Sequence, residues 1–209
     1  MTDDHGAQRD DVQIAATADV DERATIGSGT RVWHLSQIRE DASVGRNCAI
    51  GRGAYVGPGV RLGNSVKLQN YALVYEPADL ADGVFVGPAA VLTNDEYPRS
   101  VTPQGRLKSG DDWTAVGVVV GEGAAIGARA VCVAPVAIGR WALIAAGAVV
   151  TRDVPDFALM VGVPARRVGW VGRAGEPLAA KGDGRWICPR SGAEYREDAG
   201  RLTELPLPG

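Results

Sequence analysis

The chain is poor in aromatic residues, histidine and cysteine. Aromatic residues make up 6% of its 209 residues, a shortage that fits a narrow core filled by medium-sized aliphatic side chains. The two histidines, His5 and His34, are too few for the three-histidine zinc site of a carbonic anhydrase. Cys48, Cys132 and Cys188 lack the spacing of a metal site or a disulfide framework, which favours a reducing compartment.

The chain also lacks a strong charge bias and long apolar runs. Its formal net charge is −3 and its pI is near 5.4, which argues against a nucleic-acid-binding surface. No apolar run is long enough to span a membrane, and the first residues do not read as a signal peptide. We therefore expect a cytoplasmic protein with neither a nucleic-acid nor a membrane partner.

What the sequence does have is a six-residue repeat. Fourteen aliphatic residues stand six apart from Ile14 to Leu92, and the series resumes at Val120 and runs to Val150. The fourth residue after each is small in nearly every unit. Six is not a helical period, whereas a short strand followed by a bend explains the pattern. The repeat predicts an all-β parallel β-helix. It resembles the hexapeptide repeat, and chains with that repeat have three strands and 18 residues in each coil.

Glycine follows many of the inward aliphatic residues, as at Gly27, Gly45 and Gly51. We expect many of these glycines to supply the backbone freedom that the corners of the helix need. Cys48 and Cys132 fall on inward positions and are expected to be small buried residues.

Two segments interrupt this pattern and divide the chain. Residues 95–113 contain no inward position, and the 28-residue step from Leu92 to Val120 is not a multiple of six, so they form an inserted loop. A loop of this length in a compact repeat is typical of a functional segment. We expect a mobile polar leader over 1–12, a β-helix over 13–170 and a C-terminal extension over 171–209, with Trp170 closing the apolar end of the helix.

Four segments carry a family resemblance: TRVWHL, VKLQNYALVYE, VFVGPAAVLTNDEYPRS and DVPDFALMVGVPARRVGW. They are similar to the hexapeptide-repeat N-acetyltransferases of nucleotide-linked 3-amino sugars, which include UDP-2-acetamido-3-amino-2,3-dideoxyglucuronate and dTDP-3-amino-deoxyhexose enzymes. The resemblance covers roughly residues 13–172, and the tail WICPRSGAEY resembles the uronate branch. It implies a left-handed β-helix, a homotrimer, acetyl-CoA as donor and active sites between subunits. UDP or dTDP, and a C6 carboxylate on the sugar, stay open.

Residues 18 apart fall on the same edge of such a helix. His34, Arg52 and Asn70 therefore share one edge, while Glu76 and Asn94 share the next. One edge of a subunit can face a different edge of its neighbour in a trimer. We expect the two polar rows to wall one cleft, with the inserted loop over it.

Asn94 is the first candidate catalytic residue, because its amide can hold the amine lone pair toward a thioester or bond the acetyl oxygen. Asp95 is the second, as a base. Glu76 is expected to orient the amine, and Arg99 to bind a diphosphate or a carboxylate. Further substrate contacts are expected from His34, Gln69 and Asn70, although the last two also fit a side-chain ladder between coils.

The donor is expected along the later coils. Ala145, Ala146 and Gly147 leave room for the pantetheine arm of acetyl-CoA, and Arg166 and Arg167 can neutralise its phosphates. No metal is expected.

The scarcity of histidine shapes the expected mechanism. A sugar amine titrates near an α-amino group, at about 8, so enough of it is neutral to attack without a histidine base. The leading hypothesis is direct attack on acetyl-CoA, with the departing sulfur collecting the proton. The alternatives are an O-acyltransferase acting on a sugar or antibiotic, and a non-catalytic structural β-helix.

Overall fold

The structure is a computed structural model that describes residues 11–206, and it shows the chain wound into a parallel β-helix. Each short strand pairs in parallel with the strand one coil further on, as Lys67 does with Phe85. The predicted fold class is therefore confirmed. Most of the predicted leader, residues 1–10, lies outside the described residues. Within 11–206 there is no helix long and apolar enough to cross a membrane.

Three sheets form the faces of the helix. Sheet 1 contains Gln13–Ile14, Arg31–Val32, Ala49–Ile50, Lys67–Leu68, Phe85–Val86, Ala125–Ile126, Leu143–Ile144, Ala158–Val161 and Arg166–Trp170. Sheet 2 contains Asp19–Val20, Gln37–Ile38, Tyr55–Val56, Leu73–Val74, Val91–Leu92, Val131–Cys132 and Val149–Val150. Sheet 3 contains Thr25–Ile26, Ser43–Val44, Arg61–Leu62, Asp79–Leu80, Val118–Val120 and Val136–Ile138.

The core is a single column of inward side chains. In each two-residue strand the second residue points inward, and from Val32 to Val150 these residues are buried. Ile14 is 48% exposed because no coil covers the open face of the first coil in the described part of the chain. Cys48 and Cys132 are buried as predicted, and burial raises the pKa of the Cys132 thiol to about 12. A buried Val or Ile contributes roughly 1.5–3 kcal/mol. Because each repeat is buried against the repeats beside it, each coil depends on its neighbours for stability.

The glycines after the inward residues have a different role from the one expected. A Cβ at Gly45 would lie 2.4 Å from the Gly63 carbonyl oxygen, and neither residue has a positive φ. The left-handed backbone comes two residues later, at Gly53 with φ +64° and at Tyr71 with φ 61°. The expectation of backbone freedom was therefore wrong at these positions, where glycine is needed because successive coils approach closely.

The inserted loop leaves the helix between Leu92 and Val118. Sheet partners are 18 residues apart below it, as for Val74 and Leu92, and 40 apart across it, as for Leu92 and Cys132. The difference of 22 residues protrudes as a loop with one antiparallel bridge, from Val101 to Leu107, and a 3₁₀ turn at Gly110–Asp112.

The C-terminal extension packs on the last coil. Its antiparallel sheet contains Ala179–Gly182, Arg185–Ile187, Glu194–Asp198 and Arg201–Glu204. The rings of Phe157 and Tyr195 meet edge to face at 5.5 Å. Trp170 is buried at this junction, and its indole N–H donates to Glu197 at 2.9 Å. The extension therefore closes this end of the helix.

Candidate active site

Two edges of the helix carry the polar residues, one on each side of sheet 2. The His34 edge joins sheet 1 to sheet 2, and the residues at its bends are His34, Arg52, Asn70, Pro88, Ala128 and Ala146. The Asn94 edge joins sheet 2 to sheet 3, and the residues at its bends are Glu40, Pro58, Glu76 and Asn94. The predicted rows are thus brought into line, but within one chain they face different directions.

Two clefts lie beside each other on the His34 edge. One, of 290 Å³, is lined by Trp33, His34, Arg52, Gln69 and Asn70 together with residues of sheet 1. The other, of 450 Å³, lies on the N-terminal side of Trp33 and His34 and includes Arg31. Trp33 is 52% exposed and stands between them.

The polar side chains of this edge are held by local contacts. Thr17 Oγ1 lies 2.9 Å from His34 Nδ1. Asn70 Oδ1 accepts the backbone N–H of Arg52 at 3.0 Å, which links the Asn70 side chain to the preceding coil. Arg52 Nε lies 3.4 Å from the Tyr71 hydroxyl, and no carboxylate within residues 11–206 forms an ion pair with this guanidinium.

The Asn94 edge is acidic and partly shielded from solvent. Glu76 Oε2 is buried and has no hydrogen-bond partner among the described residues; it packs over Gly57, where a Cβ would lie 2.5 Å from it. Burial raises the pKa of the Tyr55 phenol, and the nearby Glu76 carboxylate raises it further. The rings of Tyr55 and Tyr75 lie 5.0 Å apart beside this carboxylate. A buried carboxylate oxygen without a donor suits a ligand that brings one.

Asn94 and Asp95 begin the inserted loop. Both are half-buried, and the Asn94 carbonyl accepts the N–H of Val116 at 3.0 Å, which holds the two ends of the loop together. Asp95 Oδ1 accepts the N–H of Tyr97 at 2.8 Å and so is partly engaged by the loop backbone. A cleft of 330 Å³ under the loop is lined by Asp95, Glu96, Tyr97, Lys108, Asp112, Trp113, Thr114 and Val116.

An ion pair fixes the far side of this loop. Asp112 accepts from Arg106 at 2.5 and 3.0 Å and from the N–H and hydroxyl of Ser109 at 2.8 and 3.0 Å. The Arg106 guanidinium, with help from Ser109, lowers the pKa of Asp112 to about 2. Arg99, a predicted anion ligand, is exposed on the loop and donates to the Pro98 carbonyl at 2.8 Å.

The predicted donor residues lie at the opposite end of the His34 edge from Trp33. Ala146 and Gly147 are exposed, and a Cβ at Gly147 would meet nothing within 4 Å. Arg166 is exposed and donates to its neighbouring carbonyl, that of Ala165. Arg167 instead turns to the C-terminal sheet, where it stacks 3.9 Å over the Trp170 ring and pairs with Glu197 at 3.3 Å.

Sequence reasoning missed several residues at these clefts. Trp33, Tyr71 and Trp113 were not singled out, although an aromatic side chain at a bend of a ring-poor repeat is itself a signal. Arg129 is exposed on the His34 edge, next to Ala128, and nothing in the sequence apart from its position would have identified it. Within residues 11–206, no group of three His, Cys, Asp or Glu side chains is arranged to hold a metal ion.

The comparisons with known proteins agree with the repeat. Residues 23–58 match the model described as "Bacterial transferase hexapeptide (six repeats)", and residues 117–152 match "Hexapeptide repeat of succinyl-transferase". The chain is 41% identical over 87 residues to the dTDP-3-amino-3,6-dideoxy-alpha-D-galactopyranose 3-N-acetyltransferase of Aneurinibacillus thermoaerophilus, covering 42% of this chain and 44% of that protein. It is 44% identical over 92 residues to the serine acetyltransferase of Escherichia coli K12, a match that covers 44% of this chain and 33% of that protein.

A solved structure supports the fold. LpxA, a UDP-N-acetylglucosamine acyltransferase from Bacteroides fragilis, superposes with a TM-score of 0.61 at 17% identity, over 77% of this chain and 61% of that one. The chain spans less than half the length of the two curated relatives. The two matched segments carry hexapeptide repeats, and the strand register and this superposition show that the chain has the β-helix fold.

Proposed function

We propose that this chain is an acetyl-CoA-dependent N-acetyltransferase acting on the 3-amino group of a nucleotide-linked sugar, and that it works as a homotrimer. The observation that carries the proposal is the pairing of a cationic edge with an acidic edge across one face of the helix. A nucleotide-linked amino sugar has the matching charges, an anionic diphosphate and a cationic amine. The similarity to an N-acetyltransferase of a dTDP-linked 3-amino sugar supports the same substrate class.

The outer face of sheet 2 supports the trimer. Leu73, Val91, Val131 and Val149 are partners in register, point outward and are half-buried, so they form a continuous apolar column. A contiguous apolar face of this kind suits burial against another subunit. If three copies turn this face to a threefold axis, the His34 edge of each subunit meets the Asn94 edge of the next.

The acidic edge suits the acceptor amine. Glu76 offers a buried carboxylate oxygen that no donor within residues 11–206 reaches, and an ammonium or amine N–H can supply one. Asn94, one coil further on, then positions the neutral amine or the acetyl oxygen. Asp95 remains the candidate base, although its carboxylate is partly engaged by the loop backbone.

The chemical step needs little more than this positioning. The amine lone pair attacks the thioester carbonyl carbon, the C–N bond forms, the C–S bond breaks, and the CoA sulfur takes the proton that nitrogen loses. His34 lies three coils from the level of Asn94, about 14 Å at the usual strand spacing of roughly 4.8 Å. At that distance His34 contacts the substrate far from the reacting nitrogen, which supports attack without a histidine base.

The later coils suit acetyl-CoA. The open space at Gly147 and the small side chains of Ala145 and Ala146 give the pantetheine arm access to the backbone. Arg129 and Arg166 are both exposed on these later coils and can meet phosphate groups. Arg167 contributes less, because Glu197 and Trp170 already engage it. Acetyl-CoA and nucleotide sugars are made in the cytoplasm, so we place the reaction there.

O-acetyl transfer is the second candidate. The 44% identity with serine acetyltransferase over 92 residues favours it. A hydroxyl needs a base to lose its proton, and Asp95 is then the residue nearest to the reacting level.

A thiol-release assay separates the two candidates. The acceptors are UDP- and dTDP-linked 3-amino sugars, the same sugars with hydroxyl in place of the amine, and serine. We expect CoA release only with the amino sugars. Release with a hydroxyl acceptor alone would establish O-acetyl transfer, and no release with any acceptor, together with no binding of CoA, would leave a structural β-helix.

A further inference from the structure

We infer that Trp33 and Arg52 form the nucleotide subsite of this protein, with Trp33 stacking on the base and Arg52 holding the diphosphate. The inference rests on the proposed function, because it names where the nucleotide part of that substrate binds.

Charge separates the two edges. Among residues 11–206, no carboxylate lines either cleft beside Trp33, whereas Arg31 and Arg52 line one each. The cleft under the inserted loop is lined by Asp95, Glu96 and Asp112 against a single Lys108. In a chain of net charge −3, two adjoining carboxylate-free clefts with one arginine each are a selective place for a diphosphate.

The Arg52 guanidinium has N–H donors available for such a ligand. It has no ion-pair partner among the described residues, and its Nε lies 3.4 Å from the Tyr71 hydroxyl. The Tyr71 ring packs over Gly53, where a Cβ would lie 2.5 Å from the ring, so glycine leaves the room that the ring needs. Tyr71 therefore orients the guanidinium while leaving most of its N–H donors free.

Trp33 is the exposed aromatic surface beside this charge. Its side chain is 52% exposed on a bend, although only 6% of the chain is aromatic. An exposed indole ring beside a cationic groove provides a flat surface on which a nucleobase can stack.

The order of residues along the edge matches the order of groups in the substrate. Trp33 and His34 lie on one coil, Arg52 on the next and Asn70 on the third, while Asn94 belongs to the fourth. At roughly 4.8 Å per coil, the row spans about 14 Å. Base, ribose, diphosphate and hexose follow one another in the same order, which brings the amine to the level of Asn94. Acetyl-CoA then approaches from the opposite end, past Ala146.

Binding of free nucleotides tests the subsite without requiring turnover. UDP, dTDP and CoA are titrated into the intact chain and into variants Trp33→Ala, Trp33→Phe, Arg52→Ala and Arg46→Ala by calorimetry. Arg46 is the matched control, because its backbone N–H is held by Asn64 at 3.0 Å just as that of Arg52 is held by Asn70. Circular dichroism checks that each variant is folded.

We expect Trp33→Ala and Arg52→Ala each to weaken UDP or dTDP binding about tenfold or more, Trp33→Phe to retain most of it, and Arg46→Ala to match the intact chain. Affinity for CoA should stay constant in all four variants. Unchanged nucleotide affinity in both alanine variants would overturn the assignment, and so would a selective loss of CoA binding, since CoA also carries a nucleoside diphosphate.

The outcome is distinguishable from failure of the proposed function. Nucleotide binding that depends on Trp33, without CoA release from any amino sugar, would support the subsite and contradict the acetyltransferase. Acetylation of a nucleotide-linked amino sugar, with no loss of nucleotide affinity in Trp33→Ala and Arg52→Ala, would support the acetyltransferase and contradict the subsite.

Discussion

At the scale of single residues, the account depends on where two polar groups are placed. Asn94 is half-buried at the start of the inserted loop, and the structure records no hydrogen bond of its side chain to another described residue. His34 is exposed on the other edge and bonded to Thr17. In the proposed mechanism, Asn94 acts on the reacting atoms and His34 binds substrate at a distance from them.

Replacing Asn94 by Ala should slow turnover and leave the fold intact. Loss of one positioned donor costs roughly 1–3 kcal/mol of barrier, so kcat should fall by about fivefold to 150-fold. Thermal unfolding should change little because Asn94 is only half-buried and is not one of the buried core residues. Asn64→Ala, on the edge between sheets 3 and 1, is the control, and full activity of Asn94→Ala would remove Asn94 from the mechanism.

Replacing His34 by Ala should raise KM for the nucleotide sugar while kcat stays within about tenfold, as expected for lost uniform binding. The pH–rate profile of the intact enzyme should shift when a sugar with a differently basic amine is used. Steady-state kinetics over pH measure both effects. A fall in kcat of about 10³ in His34→Ala, with loss of the acidic limb of the profile, would make His34 the base.

At the scale of elements, coils stack through backbone contacts that exclude side chains. A Cβ at Gly45 would lie 2.4 Å from the Gly63 oxygen and 2.8 Å from the Asn64 nitrogen, so the coils would have to separate. Gly110, in the loop, has open space around it and no positive φ.

Gly45→Ala should therefore destabilise the protein by roughly 1–3 kcal/mol, as overpacking does, while Gly110→Ala changes stability little. Thermal or denaturant unfolding of the two variants makes the comparison. Equal stability of Gly45→Ala and the intact chain would show that the coils can move apart at no cost.

The ion pair between Arg106 and Asp112 should hold the inserted loop in its folded conformation. Because the pKa of Asp112 is lowered from 3.8 to about 2, its contribution to loop stability is full above pH 3.8 and is lost as pH falls toward about 2. Asp112→Asn should open the loop at neutral pH and speed trypsin cleavage at Arg106 or Lys108. Asp111→Asn is the matched control, and identical cleavage rates in both variants would contradict a structural role for this ion pair.

How much of this could be predicted from sequence differs between elements. The repeat from Ile14 to Val150 was readable because every inward residue repeats at a fixed spacing, and the loop was readable because it breaks that spacing. The engagement of Arg167 by Glu197 was not readable, since it joins residues 30 apart through the packing of the C-terminal sheet. The cause of the glycine positions was also missed, because contact between coils leaves no local sequence signal.

At the scale of the whole molecule, the central claim is that one active site needs two subunits. The two polar edges flank sheet 2 and face apart within a chain, while an apolar column lies between them. We propose that threefold packing on that column forms each site from the His34 edge of one chain and the Asn94 edge of the next. Light scattering should give about three times the 21.8 kDa chain mass.

Complementation between two impaired variants tests most directly whether one active site needs two subunits. One chain carries Asn94→Ala, the other carries His34→Ala with Arg52→Ala, and the two are unfolded together and refolded as a mixture, with each chain refolded alone as control. In randomly mixed trimers about one site in four pairs two intact edges, so activity at low substrate should recover to about a quarter of that of the intact enzyme. Activity equal to the mean of the two separately refolded chains would mean that each site lies within one chain, and would contradict the account.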